Sequence, residues 1–329
     1  MVERLEFRLD VVIGTYNRLP QIQRCIESIR RETRVKTMIY VTDAGSTDGT
    51  VEFLQNAEAE DLKPLLIGRK LGQAKAYNDV FRAATSPYVA WLSDDNEIVN
   101  AGLDAAVAVL DSEPRVGMVG LKVRDKEGPF TKAPYIGGIS SAGVLNVNQG
   151  VLRADLLRDV DYFSERFGFY GIDPDLTAKV LYAGRDVVYT RDVAIHHYRN
   201  WPADKGSPEW AALQKHHEKS DQLYRAKYGA MGKYDPVWQT RRVLWKLARE
   251  AMGKRFPLNG AEPFLGLIPR DWHNTLASRH VSLLDPWLTR GKPFHLRQST
   301  TVLSRPLRPL RDPEPPAPTQ PRTDLTQAA

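Results

Sequence analysis

Over its first 120 residues this chain of 329 alternates short β-branched runs with helical patterns, and that rhythm restricts the fold more than any other feature. The run LDVVI at 9–13 reads as a strand ending at Gly14. Pro20 opens a helix with Ile22, Cys25, Ile26 and Ile29 on one face, the spacing of an apolar helical stripe. Strands are expected at 37–42, 65–67, 88–92 and 116–119, with helices near 50–54, 73–84 and 103–110. Strands separated by helices of this length imply right-handed crossovers and a largely parallel α/β sheet. Ligands of such sheets bind beyond the carboxyl ends of the strands. Thr15, Asp43 and the pair Asp94-Asp95 all fall at such ends, so they should be neighbours in space.

Further along, glycines at 137, 138, 143 and 150 suggest loops or irregular β structure. A helix should open near Asp173 and end at Gly184, followed by strands at 186–190 and 193–197. Ser207-Pro208 has the look of an N-cap and first turn, opening a helix to about Tyr228. Residues 237–256 form a basic amphipathic pattern, and the segment beyond Ser304 is rich in Pro, Arg and Asp. Such a tail cannot bury enough apolar surface to order itself and is expected to be disordered. The division expected is an α/β domain over 1–205, a helical extension over 206–303 and a tail over 304–329.

An apolar share of 42% with 26% charged residues is that of a soluble globular protein. The net charge of +6 suits an acidic ligand such as a nucleotide without singling one out, and no nucleic-acid partner is expected. One cysteine, Cys25, rules out an internal disulfide and a cysteine-based zinc site, which fits a reducing compartment. Met1 to Asp10 does not read as a secretory signal, and no apolar run nears the ~20 residues that span a bilayer. A cytoplasmic location follows as an expectation. Between 237 and 256, six basic residues face one acid, Glu250. That pattern reads either as a helix on an anionic membrane or, more simply, as a packed helix with a solvated basic face.

The stretch WLSDDN at 91–96 ends an apolar strand on adjacent carboxylates. Adjacent carboxylates repel, so a cation or a proton is needed to hold them together. A hard divalent ion such as Mg²⁺ or Mn²⁺ fits, since it takes one or two carboxylates plus substrate phosphates. The plain alternative is a polar β-turn, because Ser, Asp and Asn favour turns.

GTYNR at 14–18, VTDAGSTDGT at 41–50, LGQAKAYND at 71–79, WLSDDN, and the segment from Tyr170 to His197 together resemble family 2 glycosyltransferases. That family has the GT-A fold and transfers sugars from nucleotide diphosphates. The resemblance implies a nucleotide-sugar donor, commonly UDP-linked, a glycan or lipid-linked acceptor, and a Mn²⁺ or Mg²⁺ cofactor. Thr15 would then sit against the base or ribose, and Asp43 would accept a hydrogen bond from the base. Arg69 and Lys75 lie near the segment that meets the diphosphate. Asp94-Asp95-Asn96 stands where the family has Asp-x-Asp, one carboxylate short, which makes Asp95 the expected metal ligand and Asp94 a ribose or supporting contact. Of His196 and His197 only one can face the ion, because successive strand residues point to opposite faces. His197 is the expected further ligand, and an imidazole favours Mn²⁺ over Mg²⁺.

Asp173 in IDPDL matches the family's general base, although Ile172 replaces the preceding acid. Its plain reading is an N-cap with Pro174 at the first helical position. Asp175 would lie in the first turn, favoured there by the helix dipole. The resemblance implies an inverting, metal-dependent transfer in which Asp173 takes the acceptor proton. Two other readings stand beside it. A nucleotidyltransferase would need a Gly-rich loop after the first strand, where this chain has a single glycine, Gly14. A non-catalytic nucleotide-sugar-binding module would explain the missing carboxylates.

Overall fold

A computed structural model describes residues 7–128, 131, 147–167, 170–183, 185–199, 201–202, 204–228 and 294–296. The basic pattern at 237–256 and the tail from 304 lie outside these residues, as does most of the expected helical extension. Among the described residues the chain runs β1 (Leu9–Thr15), α1 (Leu19–Glu32), β2 (Thr37–Asp43), α2 (Thr50–Asn56), β3 (Leu62–Leu66), α3 (Gln73–Ala83) and β4 (Tyr88–Ser93). It continues through β5 (Asn96–Ile98), α4 (Gly102–Ser112), β6 (Val116–Glu127), β7 (Gly150–Arg153), α5 (Ala154–Asp159), α6 (Ile172–Tyr182), β8 (Asp186–Tyr198), α7 (Pro208–Tyr228) and β9 (Phe294–Leu296).

The sheet order is β3-β2-β1-β4-β7-β6-β8-β5, with β9 on β8. β3, β2, β1 and β4 pair in parallel, and so do β6 and β8. β7 is inserted antiparallel to both β4 and β6, so the two parallel blocks point the same way. The parallel sheet expected from the sequence is therefore the frame, and the short β5, β7 and β9 add antiparallel joints. Two apolar layers cover it. One gathers α1, α4 and strand residues such as Val11, Ile13, Ala90 and Leu92; the other gathers α3, α6, Val12, Val89 and Trp91. Alternate residues of β1 and β4 thus feed opposite layers, as a sheet buried on both faces requires.

Several local expectations are corrected. β1 runs past Gly14 to Thr15; the glycine is there because a Cβ would press to 3.0 Å on the Tyr77 ring. β3 covers 62–66 rather than 65–67, and Pro64 is tolerated because β3 is an edge strand. Positions 186–198 form one strand, not two: the Thr190 hydroxyl donates to the Asp192 carbonyl, and register shifts against β6 absorb the irregularity. α2, expected near 50–54, runs on to Asn56.

Candidate active site

The carboxyl ends of β1, β2 and β4 are level. Thr15 lies opposite Asp43, and Gly14 lies opposite Ser93. Asp94 and Asp95 form the tight turn from β4 into β5, where the Asn96 side-chain oxygen accepts from the Ser93 N–H at 2.9 Å. The polar turn that these residue types favour is thus formed, and it carries both carboxylates. β5 then pairs with β8, placing Asn96 opposite His197, and the Tyr198 N–H donates to the Asp95 carbonyl at 2.9 Å. A three-residue strand is what carries the last segment of β8 back to the acidic turn.

Both carboxylates of that turn are buried, at 5% and 7% exposure. Arg18 donates to Asp94 at 3.1 Å and to Asp95 at 3.2 Å. Burial lifts the Asp94 carboxyl to about 6 against the pull of Arg18, with the adjacent Asp95 charge adding to the rise. Burial pushes Asp95 the same way, but His197 and Arg18 hold it below the usual carboxylate range. His197 stands between two acids, with Nδ1 2.9 Å from Asp125 and Nε2 3.2 Å from Asp95. Burial alone would lower its pKa; hydrogen bonds to Asp125 and Asp95 raise it instead. Arg199 also reaches Asp125, at 3.3 Å, and its guanidinium lies 4.7 Å over the Trp201 ring. His196 points the other way, 3.5 Å from Glu97.

Asp43 is spent mainly on its own loop. Its oxygens accept from the Gly45 N–H at 2.8 Å, the Ser46 N–H at 3.0 Å and the Ser46 hydroxyl. Ser46 Oγ also accepts from the Asn17 N–H at 2.8 Å, and Asn17 Oδ1 from the Thr47 N–H at 2.7 Å. These bonds tie the loops after β1 and β2 into one rim beside Thr15. Arg69 is exposed on the loop before α3, and Lys75 pairs with Asp79 on the exposed face of α3 at 2.9 Å. Neither is drawn into the acidic cluster.

Asp173 is not the N-cap. α6 already includes Ile172, so Asp173 sits in the first turn, and the Asp175 N–H donates to the Gly171 carbonyl at 3.1 Å. Its carboxylate accepts from the Trp91 indole N–H at 3.1 Å, which links it to β4, the strand that carries Asp94 and Asp95. Dense packing around the carboxyl pushes it up to about 8, against the single opposing bond from Trp91. Asp173 still keeps partial exposure to solvent, as a proton acceptor must. Asp175 has a different place: it is wholly buried, 2.9 Å from Lys227 on α7 and 3.6 Å from Lys179. It therefore fastens α7 to α6.

Sequence reasoning missed Arg18, Trp91 and Asp125. Arg18 stood in a quoted motif and Trp91 lay within an expected strand, but neither contact could be read without the register. Asp125 meets His197 across 72 positions of chain. Among the described residues no group of three or more His, Cys, Asp or Glu is placed to hold a metal. The pair Asp95 and His197 does fit one. Asp95 Oδ1 is buried with no well-aligned hydrogen bond, 3.2 Å from His197 Nε2. Two ligands ~2.1 Å from a shared ion at a right angle stand about 3 Å apart, so this spacing suits a divalent cation completed by substrate oxygens.

The profile of glycosyl transferase family 2 matches residues 10–163. An uncharacterized glycosyltransferase of Nostoc sp. is 30% identical over 115 residues, 34% of this chain and 35% of that one. A Campylobacter jejuni GalNAc(5)-diNAcBac-PP-undecaprenol beta-1,3-glucosyltransferase is 27% identical over 128 residues, 38% of this chain and 41% of its own. The chain therefore spans well under two thirds of the length of these two curated relatives. Among solved structures, a mannosyltransferase of Pyrobaculum calidifontis in complex with GDP-Man and Mn2+ superposes with a TM-score of 0.54 at 20% identity, over 87% of this chain and 88% of that one. That likeness concerns the fold, which is the GT-A α/β architecture. Residues 10–163, which hold the β1, β2 and β4 strand ends and the acidic turn, are the part of the chain that matches glycosyl transferase family 2.

Proposed function

We propose that the protein is an inverting, metal-dependent glycosyltransferase that moves a sugar from a nucleoside diphosphate, UDP in the first instance, to a hydroxyl of a glycan or lipid-linked acceptor. The observation that carries this reading is the Trp91 bridge: its indole N–H holds Asp173, poised near 8, above the strand whose end bears Asp94 and Asp95. A proton acceptor and an acidic turn for a charged leaving group are then tied to one strand.

Asp95 and His197 would hold Mn²⁺ or Mg²⁺, which when bound neutralises charge growing on the leaving diphosphate. The rim formed by Thr15, Asn17, Asp43 and Ser46 supports the nucleoside. Arg18 offsets the paired carboxylates before the cation arrives. Asp173, once deprotonated, takes the proton of the acceptor hydroxyl. The acceptor oxygen bonds to the anomeric carbon as the bond to the phosphate oxygen breaks, and attack opposite the leaving group inverts that centre. The transition state has oxocarbenium character, as in glycoside chemistry generally. Arg69 and Lys75 remain proposed diphosphate contacts only if their loop and helix face turn inward on donor binding.

The lipid-linked acceptor draws support from the undecaprenol in the name of the Campylobacter relative. With it goes a cytoplasmic protein working at the inner membrane face. Among the described residues no helix is long and apolar enough to cross a membrane. The test is to incubate the protein with nucleoside diphosphate sugars and Mn²⁺ and identify the product. Release of a nucleoside diphosphate supports the reading; pyrophosphate release points to nucleotidyl transfer, and binding without turnover points to a non-catalytic module.

A further inference from the structure

Gln149 lies just before β7, buried to 6% exposure, and no role has been given to it above. Its amide nitrogen reaches the Ser93 hydroxyl at 3.5 Å, the outer limit of a hydrogen bond, while its amide oxygen is buried with no partner among the described residues. Turning the amide over only exchanges the ends, because Ser93 can meet one of them at most. Asn96, also in contact with Ser93, has its amide nitrogen buried and unpartnered as well. Buried polar groups are nearly always satisfied, so two orphaned amide ends around one serine call for an explanation.

Position supplies it. Residue 148, immediately before Gln149, accepts through its carbonyl from the Trp91 indole N–H at 2.8 Å, the same donor that serves Asp173 at 3.1 Å. Ser93, on the other side, immediately precedes Asp94. Gln149 thus spans from the neighbour of the base to the neighbour of the acidic turn. In a displacement the reacting sugar must lie between those two points, with its anomeric carbon in reach of both.

We infer that Gln149 is a specificity-determining residue of the donor site, its amide oxygen accepting a hydrogen bond from one ring hydroxyl of the transferred hexose. The inference rests on the glycosyltransferase reading and deepens it: the donor sugar carries a free hydroxyl at the position that meets Gln149, and its epimer at that position is disfavoured. A site built to bond a hydroxyl discriminates strongly, because the wrong substrate leaves the buried amide unpaired.

The experiment measures kcat/KM for donor hydrolysis with Mn²⁺ on gluco-, galacto- and manno-configured nucleoside diphosphate hexoses, for the wild type and Gln149→Met. Methionine keeps length and volume and removes both polar ends. The wild type should prefer one epimer, and Gln149→Met should shrink that preference by about 10- to 100-fold, mainly by slowing the preferred donor. Affinity for the nucleoside diphosphate without sugar should stay within about twofold, which shows that the variant is folded. An unchanged epimer ratio overturns the inference, and so do an equal loss on every donor and a wild type indifferent to epimers. If Gln149→Met fails to bind the nucleoside diphosphate, Gln149→Asn is held to the same criterion. A wild type that hydrolyses no donor at all overturns the glycosyltransferase reading itself, and the inference with it.

Discussion

Asp94 and Asp95 at the end of β4, and Asp173 in the first turn of α6, which Trp91 ties to that same strand, are acids with opposite surroundings. The β4 pair has cations on it: Arg18 within 3.2 Å of both, and His197 within 3.2 Å of Asp95. Among the described residues, Asp173 has only a neutral indole N–H, at 3.1 Å. Burial acts on all three in the same direction, yet Asp95 ends below the usual carboxylate range and Asp173 near 8. Asp94, with Arg18 but without His197, rises to about 6, so it is the second partner, His197, that keeps Asp95 charged. An acid kept ionised can hold cations and answer phosphate charge, whereas one held near neutrality can exchange a proton.

The comparison can be broken at several points. The largest effect should follow Asp95→Ala, which removes the charged member of the pair: donor affinity in Mn²⁺ should fall by about 100-fold, and the difference between affinity with and without Mn²⁺ should nearly vanish. Calorimetric titration with UDP reads both; an unchanged metal dependence would move the cation elsewhere.

Arg18→Met is a smaller perturbation of the same site. It leaves two adjacent buried carboxylates without their shared cation and should cost about 1 to 2 kcal/mol in metal-free solution, moderated because Arg18 is partly exposed. Mn²⁺ should restore the loss, so the metal-induced rise in Tm should be greater in the variant than in the wild type. An equal rise in both would mean that Arg18 and the ion do not share the carboxylates.

The smallest effect separates the two kinds of acid by pH. Asp173 has a folded-state pKa of about 8, above its unfolded value of 3.8, so its contribution to stability is complete below about 4 and is lost as pH rises through 8. Asp95, lowered on folding, contributes above about 4 and loses that contribution on acidification. Asp173→Asn should therefore melt with the wild type at pH 4 and ~3 °C above it at pH 9, a modest gain because the carboxyl is partly open to solvent. A variant that melts lower at pH 9 would show that the Asp173 carboxylate is stabilised rather than penalised where it stands.

How much of this was legible beforehand follows the range of each interaction. Strands β1, β2 and β4 and helices α1, α3 and α4 announced themselves because their apolar spacing is a local property. The convergence of Thr15, Asp43 and Asp94-Asp95 also came through, since parallel strands must end on one side of the sheet. The start of α6 was misjudged by two residues: Asp173-Pro174 imitates a cap that the backbone places earlier. What stayed hidden depends on register between distant strands. Asp125 reaches His197 only because β6 and β8 pair as they do, and the shifts along that pairing leave no mark in either segment alone. The double life of Asp43, written as a ligand residue and found shaping its own loop, shows the same limit at short range.

The division of labour between the acids is most directly tested by Asp173→Asn, assayed for nucleoside diphosphate release from the preferred donor beside calorimetric UDP affinity. Turnover should drop by at least about 1,000-fold while UDP affinity stays within about twofold, because the amide keeps the shape and loses the ability to take a proton. Turnover close to that of the wild type would contradict the account, and so would a loss of UDP binding as large as the loss of turnover.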